Sequence, residues 1–324
     1  MRRLAALVMA SLAACLSPKP SSAQDVAWPV QPVRMVVPFP AGGPADILAR
    51  FVAERLGQAW AQPVIIENKP GANTAVAAVQ VAKAPPNGYT LFVVMDVTMV
   101  LNPLTSKTMS YDPLRDFEPI SLLSKNTSLL TVHADGPKSV AELIALGRAN
   151  PGKLNFGAGI ITTRLAAELF NKETGIVAQY VPFQGSPPTV QALMSKSVDY
   201  IVDGQASSLP LIQSGMFRAL AKMNDGPVPA LPGLRSIAVE AGAPALDDVS
   251  TWIGLVAPAG TPRAIIDKVQ KEIAKIYADP AIVERLLKAG INPFADTPGE
   301  FARFVRTETV RWGKVVKDAG IDLD

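Results

Sequence analysis

The chain has 324 residues, 48% of them apolar, 18% charged and 6% aromatic, with one cysteine (Cys15) and one histidine (His133). That length suits one large domain or two ordinary ones. The composition excludes wholesale disorder, and beyond the first segment no apolar run reaches the roughly 18 residues of a membrane span. With a single Cys and a single His, a disulfide scaffold, a Cys/His zinc site and a Cys–His or Ser–His catalytic pair are all but excluded.

Arg2 and Arg3 precede an apolar stretch, Leu4 to Leu16, and a polar segment, Ser17 to Gln24. This is the layout of an export signal over residues 1–23, too short to anchor the chain by spanning. Two cleavage readings are open. Ser21-Ser22-Ala23 offers small residues before Gln24, whereas Leu12-Ala13-Ala14-Cys15 reads as a lipobox that would leave Cys15 lipidated. Either way the body is expected outside the cytoplasm. Residues 1–23 hold three of the 31 basic residues and no acid, so the body carries 28 bases against 28 acids. A neutral body without a basic block argues against a nucleic-acid partner.

Along the body, Arg34 to Phe39, Val64 to Glu67 and Tyr89 to Met95 read as strands. Their near-continuous apolar character predicts a parallel sheet covered on both faces. Ile47, Leu48, Phe51, Val52 and Leu56 share one helical face between the first two. A second helix is predicted from Thr74 to Lys83, stopped by the turn Pro85-Pro86-Asn87-Gly88. Ser139 and Glu142 form a capping-box pattern. Leu154 to Phe156, Val177 to Val181 and Tyr200 to Val202 then read as strands, with helices over Thr162 to Thr174 and Pro188 to Lys196. This is a second set of βαβ windings.

Three further helix starts follow: Thr261-Pro262, Asp279-Pro280 and Thr297-Pro298. Ile265, Ile266, Val269, Ile273 and Ile276 line one face of the first of these helices, and Gly290 ends the second. Phe301, Phe304, Val305, Trp312 and Val315 recur at helical spacing on the third, as core residues. Leu129 to His133 and Trp252 to Ala257 are candidate crossings between two lobes. If both cross, lobe one is 24–130 plus 252–324 and lobe two is 131–251, an insertion of ordinary domain size, and the paired crossings form a hinge.

Catalytic motifs are missing. There is no G-x-S-x-G, no S-x-x-K and no Walker A, and Gly157-Ala158-Gly159-Ile160-Ile161-Thr162 lacks the third glycine of a dinucleotide fingerprint. Asp247-Asp248 reads as a solvated loop and His133 as a strand-end residue. No metal or cofactor is expected. What remains is a set of strand-to-helix turns rich in glycine and hydroxyls. They are Pro38 to Asp46, Gly157 to Thr163, Pro182 to Ser186, and Val202-Asp203-Gly204. Glycines let a ligand approach the backbone, and helix starts present unpaired N–H groups that bind anions, carboxylates included. In an open α/β sheet ligands sit beyond the carboxyl ends of strands, where these turns lie. For Asp46 alone, ligand contact and service to the helix start are both open, and Thr162 and Thr163 either cap their helix or face a ligand.

These residues resemble the substrate-binding receptors of tripartite tricarboxylate transporters, the Bug receptors. The resemblance runs through Pro32-Val33-Arg34-Met35-Val36-Val37-Pro38-Phe39, Ala41-Gly42-Gly43 with Asp46 and Ala49-Arg50, and Glu67-Asn68-Lys69-Pro70-Gly71-Ala72. It continues through Ala82 to Leu91, Asn102-Pro103, Tyr111-Asp112-Pro113, Asp116-Phe117, Ala149 to Leu154, Val181 to Ser186 and Ala257 to Pro262. The family implies a two-lobed α/β receptor of the type II periplasmic-binding-protein fold, two doubly wound sheets joined by two crossing segments. It implies a monomer that closes over a small organic acid and serves membrane transporter subunits. Carried over, the ligand contacts fall on Phe39, Ala41, Gly42, Gly43 and Asp46 in lobe one, and on Gly157, Thr162, Thr163, Gln184, Gly185 and Asp203 in lobe two.

Two departures bear on the ligand. Ile160 and Ile161 stand where the family has small polar residues, with Arg164 at a histidine position. This shifts the expectation toward an aromatic or otherwise apolar-bodied carboxylate. Asp96 stands where a small residue such as serine is usual; it would pair with Arg164, accept from a ligand donor or face solvent, and it joins the candidate contacts. Two rival readings remain. One is an exported enzyme using Asp46, Asp96 and Asp203, which would need an acid–base partner within reach. The other is a sensing accessory that docks on a membrane kinase ectodomain.

Overall fold

The structure, a computed structural model, describes residues 27–106, 108–246 and 251–319. The predicted leader with Cys15, the Asp247-Asp248 pair and the side chain of Val315 lie outside the described residues.

In chain order, β1 (Val33–Val37), α1 (Pro44–Trp60), β2 (Val64–Asn68), α2 (Ala75–Ala82) and β3 (Thr90–Met95) open the fold. A π turn over Val97–Leu101, the short α3 (Asn102–Thr105) and β4 (Phe117–Asn126) complete the first pass. Next come β5 (Ser128–His133), α4 (Val140–Ala149), β6 (Leu154–Ala158), α5 (Ile161–Thr174), β7 (Ala178–Pro182) and α6 (Ser186–Met194). Then follow β8 (Tyr200–Gly204), α7 (Gln205–Gln213), β9 (Phe217–Lys222) and α8 (Ile237–Ala241). β10 (Thr251–Pro258), α9 (Arg263–Tyr277), α10 (Pro280–Lys288) and α11 (Pro298–Ala319) close it.

Two five-stranded sheets result, ordered β2-β1-β3-β10-β4 and β7-β6-β8-β5-β9. Both are mixed rather than wholly parallel. β1 runs parallel to β2 and β3, but β10 is antiparallel to β3 and β4. Likewise β6 is parallel to β7 and β8, and β5 antiparallel to β8 and β9. The apolar runs report burial on both faces, and burial does not fix strand direction: β10 is buried along its whole length yet antiparallel.

The chain leaves the first sheet at Thr127. Asn126 still pairs with Thr251 in β10, while Ser128 already pairs with Gly204 in β8. Thr251, where β10 begins, lies beside Asn126 at the end of β4. Leu129–His133, read as a crossing, sits wholly inside the second sheet, and Trp252–Ala257 inside the first.

Local signals explain the helix starts. The Ser139 hydroxyl accepts from Glu142 N–H at 3.1 Å. Thr297 and Glu300 close a reciprocal capping box: Thr297 N–H donates to Glu300 Oε2 at 2.8 Å and Glu300 N–H to the Thr297 hydroxyl at 3.3 Å. Asp279 accepts from Ala281 N–H. Thr261 does not cap; its hydroxyl donates to Pro258 O, and α9 starts one residue later. The C-terminal helices return to the first sheet. Phe301, Val305 and Trp312 of α11 are buried, and Trp252 of β10 meets Phe301 and Phe304 edge-on at 5.7 and 5.5 Å.

Candidate functional site

Four helices begin around one cleft between the sheets. Its lining includes Gly43, Pro44 and Ala45 at the start of α1, Ile160 and Thr163 at α5, Gly185, Ser186 and Pro187 at α6, and Gly204, Gln205 and Ala206 at α7. None of these four helices has a side-chain cap at its N-terminus. The N–H groups these starts do carry (Pro44, Pro187 and Pro188 have none) therefore lack a side-chain cap, and each helix adds the positive end of its dipole. Among the described residues, no Lys, Arg or His lines the cleft, and Asp203 is the one acid. Phe39, Pro40, Met95, Ile253 and Ile291 supply apolar walls.

The two halves touch. A Cβ on Gly185 would lie 3.3 Å from Pro40 Cδ, and one on Gly204 would lie 3.1 Å from Pro44 Cγ. The enclosed cavity is about 40 Å³, room for a few water-sized bodies. A smaller chamber behind it shares Phe39, Pro40, Ile160 and Gly185, and adds Gly71, Asn73 and Thr74. Ala72, Asn73 and Thr74 there all have positive φ, at 46°, 46° and 75°. For β-branched Thr74 this is costly. It is held by hydrogen bonds from Thr98 Oγ1 and Asn102 Nδ2 to its hydroxyl.

Of the predicted site residues, the structure brings Phe39, Gly43, Thr163, Gly185 and Asp203 to the cleft. Ala41 and Gly42 are exposed on the tip of the β1–α1 turn, away from the lining. Gly157 is packed, with an added Cβ 3.1 Å from the Phe183 ring. Gln184 is exposed and borders only the small chamber. Thr162 and Thr163 sit inside the first turn of α5 and do not cap it; Thr163 Oγ1 donates to Ile160 O.

Asp46 braces the turn. It is buried, and accepts from Gly42 N–H (2.9 Å), Arg50 Nε (2.9 Å) and Asn68 Nδ2 (2.8 Å). Burial alone would raise its pKa; the hydrogen bonds from Arg50, Gly42 and Asn68 outweigh it and hold the carboxyl below its usual range. Replacing Asp46 with alanine strips three donors of their acceptor. It is expected to cost about 2–3 kcal/mol in urea unfolding and to loosen the turn that carries Gly43 into the cleft.

Asp96 does not pair with Arg164, whose guanidinium pairs with Glu168 at 2.7 Å and stacks on Tyr180. Asp96 is fully buried at the end of β3, outside the cleft lining. It accepts from Val97 N–H at 3.0 Å and, across the gap between the halves, from Thr162 Oγ1 at 2.6 Å. Burial pushes its pKa up to about 7. Asp203 is also buried; its Oδ1 accepts from Ser186 Oγ, its Oδ2 has no partner, and burial pushes it up to about 7.

Sequence reasoning missed Asn126, Ser128, Gln205 and Thr251, which also line the cleft. Asn126, Ser128 and Thr251 flank the two passages, and Gln205 opens α7, so the Val202-Asp203-Gly204 turn signal stopped one residue short of it.

Fold and cleft define a two-lobed α/β binding protein. The chain belongs to the tripartite tricarboxylate transporter family receptors: the family model matches residues 48–321. A UPF0065 protein from the tcbD-tcbE intergenic region of Pseudomonas sp. strain P51 is 34% identical over 313 residues, 95% of this chain and 93% of the relative. Among solved structures, R. palustris Rpa4515 with adipate is 36% identical with a TM-score of 0.87, covering 91% of this chain and 99% of the other. MatC from Rhodopseudomonas palustris with bound malate is 30% identical with a TM-score of 0.81, covering 89% and 100%.

Proposed function

We propose that the protein is an exported, periplasmic receptor that binds a small apolar-bodied carboxylate between its lobes and delivers it to a tripartite tricarboxylate-type membrane transporter. The observation that carries this reading is the convergence of four uncapped helix starts on a cleft whose described lining holds no cation. Such a site neutralises a carboxylate with backbone N–H groups and dipoles, while Phe39, Met95, Ile160, Ile253 and Ile291 fit an apolar body. Adipate and malate in the two solved relatives support the ligand class. Among the described residues no helix is long and apolar enough to cross a membrane.

The cavity is too small for an organic acid to enter while the lobes touch. Entry therefore requires them to part, and the bound acid then biases the equilibrium toward closure. Thermal unfolding of the mature protein against a panel of mono-, di- and aromatic carboxylates tests the reading. A cognate acid at about 100 times its Kd is expected to add about 2.7 kcal/mol of stability. A panel with neither a thermal nor a calorimetric response counts against it. Co-purification with transporter membrane subunits, rather than a kinase ectodomain, tests the partner.

A further inference from the structure

The outward face of α11 carries a row of cations. Arg303, Arg306, Lys314 and Lys317 are all exposed, with Thr307 and Val310 among them, and Val310 is 78% exposed. On a helical projection these six positions fall within an arc of about 100°. The buried Phe301, Val305, Glu308 and Trp312 lie opposite. The row runs about 21 Å along the helix. Among the described residues none of the four cations forms an ion pair, and no acid stands in the row. Glu308 is buried against Arg311. Glu300, the acid that Arg303 feels, precedes the row and is held by Thr297 in the capping box. By contrast, α9 and α10 pair Arg263 with Asp267, Lys275 with Glu272 and Lys288 with Glu284. A body that balances 28 bases against 28 acids thus concentrates four unpaired bases on one ridge. Beside the ridge, a groove lies between Thr309 and residues 109–115, where Leu114 is 55% exposed. The charges in that loop are engaged: Arg115 pairs with Asp116, and Asp112 accepts from the N–H groups of Leu114 and Arg115.

We infer that this ridge docks the receptor on an anionic lipid surface, its four cations on the lipid phosphates and Val310 pressed between them. The docking rests on the exported reading, which sets the receptor beside the membrane that holds its transporter. The apolar face of α11 is spent on Trp252 and the core beneath the first sheet, so the helix can lie on a membrane but not enter it. A convex row of unengaged cations has no concave feature with which to read a partner's shape, whereas a plane of phosphates accepts it in any register. That favours lipid over an acidic protein. Each Lys or Arg held close to such a surface multiplies binding about fivefold, so four together turn a weak encounter into measurable partitioning. Because α11 packs on β4 and α9, both of the first lobe, a docked receptor keeps its second lobe free to open and close.

The test is flotation of the unlipidated mature chain with vesicles of phosphatidylcholine alone, and of phosphatidylcholine and phosphatidylglycerol in equal parts. At low salt the chain is expected to float with the mixed vesicles and not with phosphatidylcholine, and binding should fall at least tenfold at about 0.5 M salt, where screening is short-ranged. Replacing the four cations together (Arg303→Gln, Arg306→Gln, Lys314→Gln and Lys317→Gln) is expected to lower binding to mixed vesicles at least tenfold. A charge-matched control on the neighbouring helices (Arg263→Gln, Lys271→Gln, Lys275→Gln and Lys288→Gln) is expected to stay within threefold of the parent chain. All eight side chains are exposed, so neither set disturbs the core. Val310→Glu, which puts an acid in the middle of the row, is expected on its own to weaken binding at least threefold. Absence of binding to mixed vesicles, which would leave the ridge to an acidic protein, or an equal loss in the ridge and control variants, overturns the lipid surface. Neither outcome touches the cleft, whose carboxylate reading is tested separately by the thermal panel.

Discussion

Replacing Gly290 with alanine is expected to weaken ligand binding at least tenfold while each lobe stays folded. Gly290 follows α10, on the first lobe, with φ at +75°, and it lines the cleft. An added Cβ would lie 2.8 Å from Leu209 Cδ1 and 2.9 Å from Ala206 N and Gln205 C, all on the second lobe. The leucine methyl can swing aside, but the backbone of α7 cannot, so the cheapest escape is to hold the lobes apart. The left-handed φ adds a cost of roughly 1 kcal/mol within the first lobe, visible as a modest fall in Tm. Lost closure adds about 1.4 kcal/mol or more to the binding free energy, the equivalent of tenfold. Calorimetry measures the affinity, and small-angle scattering should show a larger radius of gyration that ligand no longer reduces. Unchanged affinity would mean that the closed approach of α10 to α7 has no part in binding.

The helix starts were legible in the sequence because their chemistry is local. Thr297 and Glu300 satisfy each other three residues apart, and Asp279 caps two residues on. The four glycine-containing turns of the candidate site were legible for the same reason, and they bring Phe39, Gly43, Thr163, Gly185 and Asp203 to the cleft. What was hidden is set by partners distant in sequence. β9 (Phe217–Lys222) carries Arg and Lys within a short run, and only its pairing with β5 makes it a strand. Ser128 and Thr251 reach the cleft through strand pairings between segments far apart in the chain, Ser128 with Gly204 and Thr251 with Asn126. The acids show this most sharply. Asp46, Asp96 and Asp203 look alike as letters, yet one is tied to Arg50 and Asn68 and one to a threonine of the other lobe, and only the third offers a free oxygen to the cleft.

The burial of Asp96 gives stability an unusual pH dependence, against which the Thr162 hydrogen bond works. Asp96 has no water-exposed surface, and burial sets its pKa near 7, against an ordinary value of 3.8. Of the groups facing it from α11, Glu308 raises the value and Arg311 lowers it, and the two are paired at 2.6 Å. A folded-state pKa above the unfolded one means that the folded protein holds the proton more tightly. The stabilisation is complete below about pH 4 and is lost as pH rises toward 7 and beyond. Asp203 adds a loss of the same sign. Tm of the ligand-free protein is therefore expected to fall between pH 5 and pH 8, the reverse of the trend set at lower pH by acids such as Asp46. Neutral Asp96 keeps its contact with the donor direction reversed, because a hydroxyl both gives and accepts. Asparagine imitates that state: its Nδ2 would donate to Thr162 Oγ1 while its oxygen accepts from Val97 N–H. Asp96→Asn should thus raise Tm at pH 8 and flatten the profile by about the share that Asp203 does not carry, whereas Thr162→Val should lower Tm at every pH. A variant profile parallel to that of the parent protein would show that Asp96 does not titrate in this range, and a fall in Tm at pH 8 would show that its charge is wanted there.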